Sequence, residues 1–162
     1  MSPEIGEFIP LVLSAPLLAA MAIGDLRRLR ISNRLVLAML AIFVLSAPFL
    51  LPPSEIGARV IVALSVFVLG TAGFALGLWG GGDVKALAAL MLFLPSAALP
   101  IYAYIFAFSM LAGIALVLTF RAAFGTPETA WHAFRPQTEF PMGLSIALSG
   151  MLLPLVLLVP AL

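Results

Sequence analysis

The sequence contains no cysteine, a single histidine and few charged residues of either sign. The absence of cysteine excludes a disulfide framework, a thiolate nucleophile and a cysteine-ligated zinc site. His132 alone cannot build a histidine metal site either. Eight basic and seven acidic residues give a net charge of +1, which gives no indication of a nucleic-acid partner. Any chemistry must therefore use a small number of carboxylates.

Apolar residues make up most of what is present. They account for 64% of the 162 residues, against 9% charged, and the mean hydropathy is +1.23. So little polar surface cannot coat a soluble domain. The apolar runs are continuous rather than alternating, which favours helices that cross a lipid bilayer. We therefore predict an all-α, polytopic transmembrane bundle that forms one domain over residues 1–162, with no separate soluble domain.

Proline, glycine and charged residues divide the apolar sequence into about six predicted spans. Their approximate bounds are 8–24, 35–51, 60–79, a short span from 84 that is interrupted at 95, 99–120 and 141–159. The junction between Pro95 and Pro100 is compatible with a tight turn between two helices or with a kink in one long helix.

The basic residues predict the orientation, because Lys and Arg favour cytoplasmic loops. With the N-terminus outside, Arg59 alone falls on the outer side. The residues that then fall inside are Arg27, Arg28, Arg30, Arg34, Lys85, Arg121 and Arg135. Glu4 and Glu7 stand where a signal peptide would carry positive charge, so we expect the first helix to be retained.

Asp25 and Asp83 are the carboxylates that these spans place at the cytoplasmic face, one at the end of the first span and one at the start of the fourth. Two carboxylates within a few Å share a proton, so one acts as a base towards water and the other as an acid. Aspartic proteolysis requires this arrangement. Because Asp83 opens a helix and Asp25 closes one, the helix dipole favours Asp83 as the ionised base.

Each of these residues also has a structural interpretation. Asp83 suits the N-cap of the fourth span, and Asp25 suits an ion pair with Arg28 one turn later. Gly73 and Gly77 form a G-x-x-x-G pattern, which is typical of helix packing. The shared face of the two aspartates, in a sequence with few other acids, favours a functional role for the pair.

The polar loop 121–140 is the best candidate for contact with a substrate or with the lipid surface. Thr126, Pro127 and Glu128 favour a helix start, with proline at the first helical position. Trp131 and Phe134 would then face the membrane interface, where a plain anchoring role is the stronger interpretation.

Two short motifs resemble those of a known family. The segment from Gly80 to Lys85, GGGDVK, matches the G-x-G-D motif of intramembrane aspartyl proteases and continues as in their prepilin peptidase branch. Asp25, followed by the segment RISN from Arg30, is similar to that family's first aspartate motif, with Ser32 where the family has proline. The segment PMGL from Pro141 resembles the start of the family's last helix. The motif residues carried over are Asp25, Asn33, Gly80, Gly82, Asp83 and Lys85.

The chain thus resembles the type IV prepilin peptidases, in the short form found with tight-adherence (Flp) pili. Longer members carry paired cysteines and an N-methyltransferase activity, neither of which we expect here. The resemblance implies an aspartic endopeptidase of the bacterial inner membrane that removes the leader of prepilins or pseudopilins after a glycine, at the cytoplasmic face. It implies Asp25 and Asp83 as catalytic residues, no metal or other cofactor, and pilus assembly machinery as a candidate further partner.

Two other classes of function remain open from the sequence. In a small transporter or channel component, Asp25 and Asp83 would bind or relay a proton or cation. In a non-catalytic subunit of the pilus assembly apparatus, the same residues would be structural. Replacement of either aspartate by asparagine separates these classes, because only a peptidase loses proteolysis.

Overall fold

The computed structural model describes residues 5–136 and 138–158. These residues form helices, turns and coil without any strand, which confirms the predicted all-α fold with six helices. The helices are α1 (Ile9–Arg28), α2 (Asn33–Leu50), α3 (Pro53–Ala75), α4 (Gly81–Met91), α5 (Leu99–Phe124) and α6 (Met142–Leu158). Short 3-10 turns occupy Ile5–Phe8, Ser96–Ala98 and His132–Phe134. Val159, the predicted end of the last span, lies outside the described residues.

The six helices differ in length, and only some of them can cross a membrane. Four segments are long and apolar enough to cross a membrane, namely Gly6–Arg28, Asn33–Leu50, Pro53–Ala75 and Ser96–Phe124. Helix α6 is a shorter apolar helix. Helix α4 has 11 residues, about 16 Å of rise, which is roughly half of a hydrocarbon core of about 30 Å. The chain is a membrane protein in which a short helix lies among longer ones.

Helix α4 occupies the interior because it packs against α2, α3 and α6. Its Leu90 side chain is completely buried, as are Leu18 of α1 and Ile146 of α6. A side chain at Gly150 would come within 2.9 Å of Leu18 and 3.1 Å of Leu90. Glycine at this position therefore lets α6 approach both α1 and α4.

The end of α3 corrects the prediction made for the G-x-x-x-G pattern. Gly77 has φ +75°, and its N–H donates to the Phe74 carbonyl while the Leu78 N–H donates to the Gly73 carbonyl. This pair of bonds is a Schellman motif, which ends a helix and requires the left-handed conformation that glycine adopts easily. Gly77 therefore ends the helix. Gly73 does support packing, because the Trp79 ring lies where its side chain would be.

Two connections were uncertain or wrong in the sequence analysis. Between α4 and α5 the chain forms a turn followed by the 3-10 segment Ser96–Ala98, so the junction is a turn between two helices. The helix start predicted at Thr126 is wrong. The Thr129 hydroxyl accepts the Thr126 N–H at 3.0 Å and donates to the Phe124 carbonyl at 3.2 Å, which closes the backbone into a turn.

Candidate active site

Asp25 lies in the last turn of α1, and the residues that follow it line one side of the candidate site. The helix ends at Leu29, which adopts the left-handed conformation with φ 51° and donates its N–H to the Asp25 carbonyl at 2.7 Å. Leucine rarely adopts this conformation. The reversal brings Ile31 beside α4, where a side chain at Gly82 would be 3.4 Å from the Ile31 Cβ.

The carboxylate of Asp25 is held by the start of α6. Its Oδ2 accepts the Gly143 N–H at 2.7 Å, and the side chain is buried, with 4% of the residue exposed. The first N–H groups of a helix lack intrahelical acceptors and carry partial positive charge, so they bind anions. A Cβ at Gly143 would lie 2.8 Å from Oδ2. Only glycine leaves room for this contact.

Asp83 lies at the third position of α4, because Gly80 is the residue that caps the helix. The prediction of Asp83 as an N-cap is therefore wrong by three residues. Its side chain instead turns back towards Gly80, where a Cβ would lie 2.7 Å from the Asp83 Oδ2. In a capping box, the acidic side chain at the third helical position reaches back to the backbone N–H of the N-cap residue. Asp83 takes the same direction towards Gly80.

Burial and a neighbouring acid change the titration of Asp83, which lies outside the four long spans. Desolvation raises the pKa of Asp83, the backbone N–H of Gly80 opposes that rise, and the negative charge of Glu139 adds to it. Glu139 is held at this place by Arg121, whose Nη2 donates to the Glu139 carbonyl at 2.8 Å.

One cavity of about 650 Å³ contains both predicted catalytic residues. Its lining residues are Asp25, Leu29, Arg30, Ile31, Gly77, Leu78, Trp79, Gly80, Gly82, Asp83, Met110, Glu139, Phe140 and Met142. Within residues 5–136 and 138–158, no group of three or more His, Asp or Glu side chains is arranged to hold a metal ion.

The other motif residues, Asn33, Gly80, Gly82 and Lys85, line two different cavities. Gly80 and Gly82 line the cavity of the aspartates. Lys85 and Asn33 meet elsewhere, where the Lys85 Nζ donates to the Asn33 Oδ1 at 3.4 Å. They line a second, largely apolar cavity of about 650 Å³ between α2, α3 and α4. Lys85 and Asn33 therefore do not contact the cavity of the two aspartates.

Ser32, which stands where the resembling family has proline, caps α2. Its hydroxyl accepts the Arg34 N–H at 3.3 Å, as serine commonly does at a helix start. The replacement thus preserves the helix start just after the loop that carries Ile31.

Gly143 and Glu139 are the residues that sequence reasoning missed. Gly143 was noted only as part of a short motif, and its contact with Asp25 joins residues 118 positions apart. A signal for Glu139 was available, since acids are scarce and this one precedes the predicted last span.

The bond from the Gly143 N–H to Asp25 also removes the predicted difference between the two aspartates. Asp25 faces the start of α6 and Asp83 lies at the start of α4, so the helix dipole does not distinguish which carboxylate is ionised.

Comparison with known proteins adds one finding. Residues 12–118 match the profile of the type IV leader peptidase family, a range that contains both Asp25 and Asp83. The matched range ends before Glu139 and Gly143. Comparison with curated proteins gave no match, and comparison with solved structures gave none either.

Proposed function

Because the chain belongs to the type IV leader peptidase family, we propose that it is a membrane-embedded aspartic endopeptidase. It removes the leader of prepilins or pseudopilins after a glycine, at the cytoplasmic face of the bacterial inner membrane. The observation that carries this proposal is the single cavity lined by both Asp25 and Asp83. Helices α1 and α4 each supply one carboxylate, and residues of the loops after α1 and before α6 contribute to the lining.

The two carboxylates have complementary roles in the reaction. Two negative charges in one cavity repel each other, so the pair holds one proton and titrates as a unit. The ionised member takes a proton from water, whose oxygen attacks the carbonyl carbon of the scissile peptide bond. The protonated member donates to the carbonyl oxygen. When the C–N bond breaks, the carboxyl that took the proton from water passes it to the leaving amine, and the other carboxylate takes its proton back from the intermediate. The products are a free carboxyl group on the leader and a new N-terminus on the pilin.

Gly143 positions Asp25 in this reaction. Its N–H binds Oδ2 at 2.7 Å, so we assign the water to Oδ1. A carboxylate that is fixed through one oxygen cannot rotate freely about its terminal bond. This restriction keeps Oδ1 in one orientation, and such orientation of a catalytic group is worth a large factor in rate.

The cavity suits a peptide substrate in size and in character. Its volume of about 650 Å³ lies within the usual range for ligand sites, about 300–1,000 Å³. Its lining includes apolar side chains, Met110, Phe140 and Met142, together with the charged side chains of Arg30 and Glu139. An extended segment at the border between a polar leader and an apolar helix would meet both kinds of surface.

The experiment that tests this function is co-expression with a prepilin from the same genome, followed by separation of precursor and product on a gel. Wild type, Asp25→Asn and Asp83→Asn are compared at equal membrane levels. The matched control is Glu128→Gln, which removes an exposed carboxylate that does not line the cavity. We expect the control to process the precursor and both aspartate variants to leave it uncut.

Continued processing by either aspartate variant would contradict the proposal. It would assign the pair a structural or ion-binding role, as in a transporter component or in a non-catalytic subunit of the pilus apparatus.

A further inference from the structure

A buried polar cluster lies at the end of α4 that is remote from Asp83. Its centre is Arg59 on α3, which is 1% exposed and has the largest volume among the fully buried side chains of the described residues. The Arg59 Nε donates to Glu55 Oε1, one turn earlier on the same helix, at 2.9 Å. The basic residues predicted the cytoplasmic face with Arg59 as the one exception. Its burial and pairing give that exception a structural reason.

Arg59 and Glu55 together bind the backbone that follows α4. The Arg59 Nη1 donates to the Phe93 carbonyl at 3.2 Å. Glu55 accepts the Ser96 N–H at Oε1 and the Ser96 hydroxyl at Oε2, both at 2.7 Å. The Arg59 Nη2 donates to the Glu7 carbonyl at 3.2 Å. The cluster therefore joins the start of the chain and α3 to the turn between α4 and α5.

This turn needs such partners because it is buried without being α-helical. Residues 92–95 are all buried, and unpaired backbone groups are costly where no water reaches them. A helix end leaves several carbonyl groups without donors. The planar guanidinium of Arg59 can reach acceptors on separate segments at once. The Phe93 carbonyl, which lies just past the end of α4, thus obtains a donor from α3.

Helix α4 connects this attachment to Asp83. The helix is too short to reach both faces of a bilayer, so contact with water at the outer face cannot fix its position along its axis. Three of its six buried side chains are alanines, Ala86, Ala88 and Ala89, and small side chains interlock less with neighbouring helices than large ones do. A helix is stiff, so a shift at Phe93 along the axis reappears as a shift at Asp83.

We propose that Arg59 is a positioning residue for Asp83. By holding the turn after α4, it sets the position of α4 along its axis and so the place of Asp83 opposite Asp25. Its effect on catalysis rests on the proposed function, whereas its effect on the position of α4 does not. Arg59 lies at the far end of α4 from the cavity and does not line it.

The test uses the absence of cysteine from the sequence. A Cβ at Gly82 lies 3.4 Å from the Ile31 Cβ, close to the separation in a disulfide, about 3.5–4.5 Å. The pair I31C/G82C therefore reports the position of α4 next to Asp83 without any need for activity. A second pair, G113C/S145C, reports the packing of α5 on α6, since a Cβ at Gly113 lies 2.6 Å from the Ser145 Oγ.

Disulfide formation is measured in membranes for both pairs, each with Arg59, with Arg59→Met and with the control Arg34→Met, which removes an exposed arginine. We expect Arg59→Met to slow cross-linking of I31C/G82C by tenfold or more and to leave G113C/S145C unchanged. Arg34→Met should change neither. An unchanged rate for I31C/G82C in Arg59→Met would overturn the proposal. An equal loss for both pairs would also overturn it, because Arg59 would then support the whole fold.

Activity gives a second measurement in the cysteine-free protein. We expect Arg59→Met to lower kcat by a larger factor than it raises KM, because a shift of α4 misplaces Asp83 while most of the cavity lining belongs to other segments. Arg59→Lys keeps the charge but reaches fewer acceptors, so its kcat and its cross-linking rate should both lie between those of Arg59→Met and wild type. A kcat of Arg59→Met equal to wild type would contradict the proposal. If the aspartate variants retain activity, the proposed function fails while the cross-linking result stands.

Discussion

The two ends of α4 carry polar clusters that are built in opposite ways. At the end remote from Asp83, Arg59 donates to three oxygen atoms and Glu55 accepts three hydrogen bonds, all within 3.2 Å. At the other end, Asp25 is held through one oxygen by Gly143, and Asp83 turns back towards its own helix start. Both aspartates border an open cavity.

The short helix α4 thus has a structural role at one end and a chemical role at the other. An ion pair in which each side-chain nitrogen and each carboxylate oxygen already has a hydrogen-bond partner, which we call saturated, stabilises one arrangement. A carboxylate that keeps an oxygen for water can accept or donate a proton. The saturated end fixes the helix, and the unsaturated end is available for the reaction.

The largest effect on stability is expected when the saturated end is broken. Arg59→Met leaves Glu55 without its cation, so we expect the free energy of unfolding to fall by about 3–5 kcal/mol. Asp83→Asn should change it by less than about 1 kcal/mol, because that carboxylate is not part of a saturated network. Unfolding in mixed micelles measures both. Equal losses for the two variants would remove the distinction between the ends.

A smaller effect, on rate alone, is expected at Gly143. Gly143→Ala places a methyl group 2.8 Å from the Asp25 Oδ2, so the carboxylate must move and its bond to the N–H lengthens. We expect kcat to fall about 10- to 100-fold, as small misplacements of catalytic groups do, while the protein stays folded. The control is Gly57→Ala, where a Cβ meets nothing within 4 Å. Wild-type kcat in Gly143→Ala would show that Gly143 does not position Asp25.

The smallest effect is a shift in pH dependence. Glu139 raises the pKa of Asp83, because a nearby negative charge favours the protonated form. Glu139→Gln removes that charge, so both limbs of the profile of kcat/KM against pH should move to lower pH, by less than about one unit. Glu128→Gln, in an exposed part of the same loop, should leave the profile in place. A shift to higher pH would contradict the assignment of Glu139.

The helices were predictable because their signals are local. Continuous apolar runs and the positions of proline and glycine gave six helices, and scarce acids at helix ends identified Asp25 and Asp83. Both were then found at one cavity. Helix ends were less accurate, since α1 continues through the basic segment to Arg28. A helix can continue beyond its apolar run into a polar segment, so the apolar pattern alone does not define where the helix ends.

What the sequence could not predict depends on contacts between distant segments. The bond from Gly143 to Asp25 requires that α6 begin beside the end of α1, which no local pattern encodes. Lys85 follows Asp83 closely in the sequence, yet it points to the other side of α4 because successive helix positions rotate by about 100°. Arg59 was predicted only as a charge on the outer side, and two of its three partners are 34 and 52 residues away.

The central claim is that Asp25 and Asp83 act as one catalytic pair. The most direct measurement is kcat/KM of purified Asp25→Asn, Asp83→Asn and the double variant on one prepilin substrate in detergent. We predict that each single change lowers kcat/KM by at least about 10²-fold and that the double variant is no worse than either one, since residues that act as a unit are not additive. Losses that multiply in the double variant, or activity that survives a single change, would contradict the claim.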